Sequence, residues 1–260
     1  MLSLHASIII SLSARLTFLF DVSRPTFHSD LSLLKCVCFP GEPCRAPLDL
    51  LFVVDSSGSL GQDNFNKELA FVEKIINSFD VNPQGAQVAM LTFSTSVKKQ
   101  FCFNEHTTKE SVNKAVKNVP YPRGVTMTHL ALESAMNDYY ISTCGARPNA
   151  AKVTVVVTDG MSTYPESTKA AAPALHATGV KVVSIGIGSG VSQDELKIIA
   201  SSGDLVFSAN NFDVLDAIEK EVSATACEAA TSLPGYLEGC AGSCSSNLLC
   251  MAKNGEDVCD

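Results

Sequence analysis

The chain has 260 residues, 46% of them hydrophobic and 18% charged, which is enough for one large folded domain with small appendages and too apolar for a disordered chain. The formal net charge is −8, and the 19 Lys and Arg residues are scattered, which excludes the basic footprint of a nucleic-acid binder. No uninterrupted apolar run approaches the ~20 residues that cross a bilayer, so the sequence has no clear membrane span.

Residues 8–20, IIISLSARLTFLF, have the apolarity of a signal region, but Arg15 interrupts them and no Lys or Arg precedes them. Two readings stand for residues 1–43: a leader followed by the Cys-Pro segment CVCFPGEPC, or a misplaced start. Next, LDLLFVV (48–54) is a continuous apolar run, the pattern of a strand buried on both faces. Residues 62–79 place Phe65, Leu69, Val72, Ile75, Ile76 and Phe79 at helical spacing. QVAMLTF (87–93) predicts a second buried strand. VKKQFCF (97–103) follows after three residues, too short a link for a crossover, so it must run antiparallel, and Lys98 and Lys99 suit a sheet edge. Helices are expected at 109–118 and about 128–140, separated by the proline-bounded loop VPYPRGVT.

KVTVVVT (152–158) is the most β-branched run and the best central strand. A helix at 166–178 follows, with Pro173 marking a kink or a late start. Then come a strand at 181–187, a helix at 194–202, a short strand at 205–208 and a last helix at 212–226. Strands alternating with helices define an α/β fold: a doubly wound, mostly parallel open sheet with one antiparallel edge strand. A Cys-rich tail of residues 228–260 completes the chain.

Ten cysteines point to an oxidising, extracellular setting. No C-x-x-C spacing and no Cys pair followed by a spaced His pair occurs, which argues against a zinc module.

DSSGS (55–59) lies directly after the first strand, where ligands gather in an open parallel sheet. Asp55, Ser57 and Ser59 offer a carboxylate and two hydroxyls on one tight loop, with Gly58 expected to allow the sharp turn. Asp159 follows the strand KVTVVVT, at the same sheet edge. Two carboxylates brought together repel unless one is protonated or a cation sits between them. Oxygen donors of this kind favour hard cations, Mg²⁺ first, with Mn²⁺ or Ca²⁺ as alternatives.

DSSGS, VVVTDG and GVTMTHLAL (124–132) together resemble the motifs of the von Willebrand factor A, or integrin I-like, family, over roughly residues 44–227. The resemblance implies a metal-ion-dependent adhesion site made of Asp55, Ser57, Ser59, Thr126 and Asp159. It also implies a vacant coordination position for a Glu or Asp of a protein ligand. Val125 and His129 stand where the family has glycine, and neither departure removes a ligand oxygen. His129, Gly160 and Met161 are expected on the ligand-binding rim, and Ser56 and Thr128 are expected to support the loops. Similar family members pair the equivalents of Cys44 and Cys227 at the end opposite the metal. Cys102 and Cys144 are expected at that same end, as a second disulfide or as free buried thiols. Cys36, Cys38 and the tail cysteines have no assigned pairing, and the tail vaguely resembles a truncated epidermal-growth-factor-like module.

Enzyme signatures are missing from the sequence. GIGSG (186–190) lacks the context of a dinucleotide fingerprint and reads as a turn. No P-loop or serine-hydrolase elbow occurs, and Ser57 stands where a haloacid-type phosphotransferase usually carries a second Asp. His176 reads as a partly exposed helix residue. The expectation is a non-enzymatic, secreted adhesion module that binds an extracellular-matrix or cell-surface protein, collagen-like or otherwise presenting an acidic residue. The other reading is a structural matrix component whose domain organises collagen or mineral without the metal.

Overall fold

The computed structural model describes residues 43–232. The expected leader and Cys-rich tail, with Cys36, Cys38, Cys240, Cys244, Cys250 and Cys259, lie outside those residues.

Every residue of β1 (Leu48–Asp55) and of β2 (Ala86–Phe93) is buried. Strands with no polar face must have neighbours on both edges and helices on both faces. The sheet provides this with six strands in the order β3-β2-β1-β4-β5-β6. β1 pairs in parallel with both β2 and β4 (Ala151–Thr158), and β4 continues to β5 (Lys181–Ile187) and β6 (Val206–Ala209). β3 (Val97–Phe101) is the antiparallel edge, with Lys98 and Lys99 exposed. Its pairing shifts register at Met90/Leu91 and ends at Phe101. The strand is therefore shorter than the expected 97–103, and Cys102 and Phe103 lie beyond it.

Alternate residues of β1 supply two cores. Leu48, Leu50, Phe52 and Val54 pack with α1 (Gly61–Asn77), α2 (Lys109–Lys117) and α6 (Asp216–Thr231). Leu51 and Val53 pack with α3 (Thr128–Ser134), α4 (Pro165–His176) and α5 (Gln193–Ile199). Local signals set several of these helices. Thr108 and Ser111 form a reciprocal capping box at the start of α2, and Ser192 accepts from the Glu195 amide at the start of α5.

Several helix boundaries differ from the sequence expectation. The helix expected over 128–140 is α-helical only to Ser134 and then widens to a π-turn over Ala135–Tyr139. The widening coincides with two tyrosines anchored on the sheet: Tyr139 donates to the Met90 carbonyl at 2.8 Å, and the Tyr140 hydroxyl lies 2.9 Å from that of Thr154. Pro173 sits inside α4, which begins at Pro165, so it marks no late start. α5 ends at Ile199, three residues early, because Ala200 turns to extended backbone. The last helix begins at Asp216 after a short 3₁₀ turn and runs to Thr231, which places Cys227 inside it.

Cys44, just before β1, is joined to Cys227 of α6, with Cα atoms 5.9 Å apart. Cys102, just after β3, is joined to Cys144, with Cα atoms 5.0 Å apart. Nearby, a buried ion pair holds the start of β1. Asp49 is fully buried and accepts from the Arg147 amide at 2.6 Å and from its Nε at 2.7 Å. The guanidinium also donates to the carbonyls of Leu48, Gly85 and Pro83. Burial pushes the Asp49 carboxyl up, and Arg147 pulls it down. Arg147→Ala removes the charge partner of buried Asp49, leaving it the amide of residue 147, and takes a donor from each of three carbonyls, so a loss of about 3 kcal/mol is expected in urea unfolding.

Candidate metal centre

Strand order reverses between β1 and β4: the chain first builds outward to β2 and β3, then returns to β4 on the other side of β1. The strand ends flanking such a reversal leave a crevice. Asp55 is the last residue of β1, and Asp159 is the first residue after β4. The loop before α3, carrying Thr126, comes to the same place. The Gly58 amide donates to the Gly124 carbonyl at 2.8 Å, and the Thr163 amide donates to the Thr126 carbonyl at 2.8 Å.

The oxygens are connected. Ser57 Oγ lies 3.0 Å from Ser59 Oγ, which donates to Asp159 Oδ1 at 2.9 Å. Asp55 is fully buried and accepts from the Ser57 amide at 2.7 Å and from Thr158 Oγ1 at 2.7 Å. Ser57 and Thr126 are buried, Ser59 is exposed and Asp159 is half-buried, so the set runs from the sheet end to the surface. Burial pushes Asp55 up to about 6; hydrogen bonds from Thr158 and Ser57 pull it down, and Asp159 adds a small upward push. Asp159 is also raised, by burial first, against the hydrogen bond from Ser59.

Two carboxylates that resist ionisation beside three hydroxyls form a donor set that a hard divalent cation satisfies. Among the described residues, no group of three or more His, Cys, Asp and Glu converges to hold a metal on those side chains alone. A cation held here would draw on the hydroxyls or on water as well as on the two carboxylates.

Supporting residues lie around this set. Ser56 turns away, donating through both its amide and its hydroxyl to the Phe93 carbonyl. Thr128 is buried at the start of α3. Gly124 has φ +139°, and a Cβ there would stand 2.4 Å from Thr95 Oγ1, so only glycine fits this close approach. Gly58, by contrast, needs no left-handed backbone; the positive φ nearby belongs to Gly61, the first residue of α1, at +73°. His129 is half-buried and meets Tyr164 edge-on at 5.8 Å. Gly160 is half-buried, and Met161 is 59% exposed. Val125 and Tyr164 are also exposed, so three of the five exposed large apolar residues described lie on the second and third loops.

Four residues not singled out from the sequence hold the loops in place. Tyr121 donates to the Ser57 carbonyl at 2.6 Å, accepts from the Gly61 amide at 2.9 Å and stacks on Phe65 at 4.9 Å. Thr158 fixes Asp55, and Thr163 accepts from the Thr126 amide at 3.1 Å. Glu195 of α5 accepts from the Ser162 amide with both oxygens at 3.1 Å, tying down the third loop. Their signal in the sequence was weak, because each contact joins segments far apart in the chain. Tyr121→Phe keeps the stacking and frees the first loop; a loss of about 1 kcal/mol is expected in thermal unfolding, with cation affinity weakened several-fold in titration calorimetry.

The von Willebrand factor type A domain model matches residues 49–221. The human collagen alpha-6(VI) chain is 33% identical over 183 residues, covering 70% of this chain and 8% of that protein. Human matrilin-1 is 32% identical over 213 residues, covering 78% of this chain and 42% of that protein. Among solved structures, proximal thread matrix protein 1 from the mussel byssus, with a zinc-occupied MIDAS motif, superposes with a TM-score of 0.66 at 31% identity, covering 71% of this chain and 47% of that one. The family model covers well over half of the chain, and the chain belongs to the von Willebrand factor type A domain family. It spans less than half the length of these relatives. Its kinship with matrilins and collagen VI chains, together with two disulfides, places it among extracellular proteins.

Proposed function

We propose that this domain, residues 44–227, holds a divalent cation on Asp55, Ser57, Ser59, Thr126 and Asp159 and uses it to bind an acidic side chain of an extracellular-matrix or cell-surface protein. What supports this reading is the meeting of three loops at the sheet's switch point: Ser57, Ser59 and Asp159 are linked side chain to side chain, the Ser57 amide holds Asp55, and backbone hydrogen bonds tie the Thr126 loop to the other two. Mg²⁺ suits the set best, with Mn²⁺ or Ca²⁺ able to replace it. A bound cation would supply positive charge for a partner carboxylate, while the chain's own residues orient it. Asp55 is locked by the Ser57 amide and Thr158, and Asp159 is held through Ser59. Val125, Met161, Tyr164 and the edge of His129 form an amphipathic rim for the residues flanking that acid.

Binding rather than turnover fits the site, because the oxygens beside the cation position serve as ligands. A pull-down on matrix proteins tests the reading. Capture in Mg²⁺ should vanish in EDTA and with Asp55→Ala. Capture that survives both would instead make the domain a structural matrix component that works without metal.

A further inference from the structure

One buried group is unused by everything described above. Glu68 lies on the inward stripe of α1, between Phe65 and Leu69 and one turn before Val72, and its exposure is zero. Both of its carboxylate oxygens are buried, and neither has a hydrogen-bond partner. An unpartnered buried carboxyl costs several kcal/mol, so a place where it persists calls for a missing partner.

Its position identifies that partner. Glu68 follows the start of α1 by seven residues, and the loop leading into α1 is DSSGS itself. The groups whose charges act on Glu68 are Asp55 and Asp159, the two carboxylates of the candidate metal centre, and both act unfavourably. Burial and these two neighbours hold the Glu68 carboxyl well above the usual carboxylate range. A cation between Asp55 and Asp159 would turn that repulsion into attraction. Glu68 is no direct ligand in this arrangement, since no three acidic, His or Cys side chains among the described residues converge on one point.

We propose that Glu68 is a third carboxylate of the cation centre, a positioning residue that acts from the outer sphere of the metal out of helix α1, behind the first loop. The inference rests on the reading of Asp55, Ser57, Ser59, Thr126 and Asp159 as the cation site. Outer-sphere groups orient ligands and raise the negative potential at the metal, and their loss commonly weakens affinity by about 10–100-fold. The arrangement also makes the metal-free domain carry an uncompensated group in its core, so that the cation contributes to folding as well as to binding.

Titration calorimetry with Mn²⁺ alone, on wild type, Glu68→Gln and Glu68→Met, tests this, alongside thermal unfolding of each protein in EDTA. Methionine matches the glutamate stem in length and needs no polar partner. Both variants should bind Mn²⁺ about tenfold more weakly than wild type, and the metal-free Glu68→Met protein should melt at or above the wild-type temperature. Mn²⁺ affinity within twofold of wild type in both variants would overturn the proposal. So would weaker affinity accompanied by a lower melting temperature of both metal-free variants, which would mark Glu68 as a structural residue. Asp55→Ala separates the two readings. If wild type and Asp55→Ala bind Mn²⁺ alike, the metal site itself is wrong. If Asp55→Ala loses binding while the Glu68 variants keep it, only the role of Glu68 fails.

Discussion

Asp55→Ala is expected to weaken divalent-cation binding by at least about a hundredfold and to abolish the stabilisation that the cation gives. In the proposed ligand set Asp55 is one of two carboxylates, beside a half-buried Asp159 and neutral hydroxyls, so its loss would remove about half of the negative charge offered directly to the cation. A cation at about 100 times its dissociation constant stabilises a fold by roughly 2.7 kcal/mol. For a domain of this size that shifts the melting temperature by roughly 5–10 °C. Wild type should show this shift on adding Mg²⁺ or Mn²⁺ to EDTA-treated protein, and Asp55→Ala should show none. A full shift in the variant would remove Asp55 from the ligand set.

The same carboxylate gives a pH signature. In the metal-free fold the Asp55 carboxyl is raised to about 6 from an ordinary value of 3.8, chiefly by burial. Below pH 4 folded and unfolded chains both hold the proton, so this group imposes no penalty. As pH rises through about 6 the unfolded chain has already ionised, and the folded chain must bury the charge. Asp55 therefore removes about 3 kcal/mol of stability between pH 4 and pH 7, and the upward shift of Asp159 acts in the same direction. Urea unfolding in EDTA should show this loss as a falling contribution across that window. Saturating cation should cancel it, because the ionised form is then the one that is bound. Equal pH dependence with and without the cation would contradict the assignment.

Opening the Cys44–Cys227 bond by the double change to alanine is expected to cost about 5 kcal/mol. The bond closes a loop of 183 residues, and the chain-entropy argument gives about that figure for a loop of this length. Native contacts remain on both sides, since Cys44 still donates its amide to the Ser78 carbonyl and Ala226 and Ala230 still pack in the core. The variant should therefore fold but melt well below wild type, and reducing agent, which also opens Cys102–Cys144, should bring wild type to that midpoint or below it. A variant whose midpoint in guanidinium matches that of wild type would show that α6 is held by packing alone. Cation affinity should change little, because the bond lies at the start of β1 and the site lies at its other end.

Much of this protein was determined by local pattern. Predominantly apolar runs at residues 48–54 and 152–158 specified interior strands, because neither offers a polar face to water. The short link before Val97 forced an antiparallel edge, because three residues cannot reverse a chain through a helix. DSSGS and TDG, each directly after such a run, located Asp55, Ser57, Ser59 and Asp159 at the carboxyl edge of the sheet. What the tertiary structure decided concerns partners distant in the chain. The π-turn at Ala135–Tyr139 accompanies tyrosines that reach β2 and β4. Tyr121 joins two loops more than 60 positions apart in the chain. Helical spacing did not set Glu68 apart, and only folding buries its carboxyl without a hydrogen-bond partner. Periodicity and spacing carry information about a residue's neighbours along the chain, whereas the charge environment of a buried group depends on what folding brings to it.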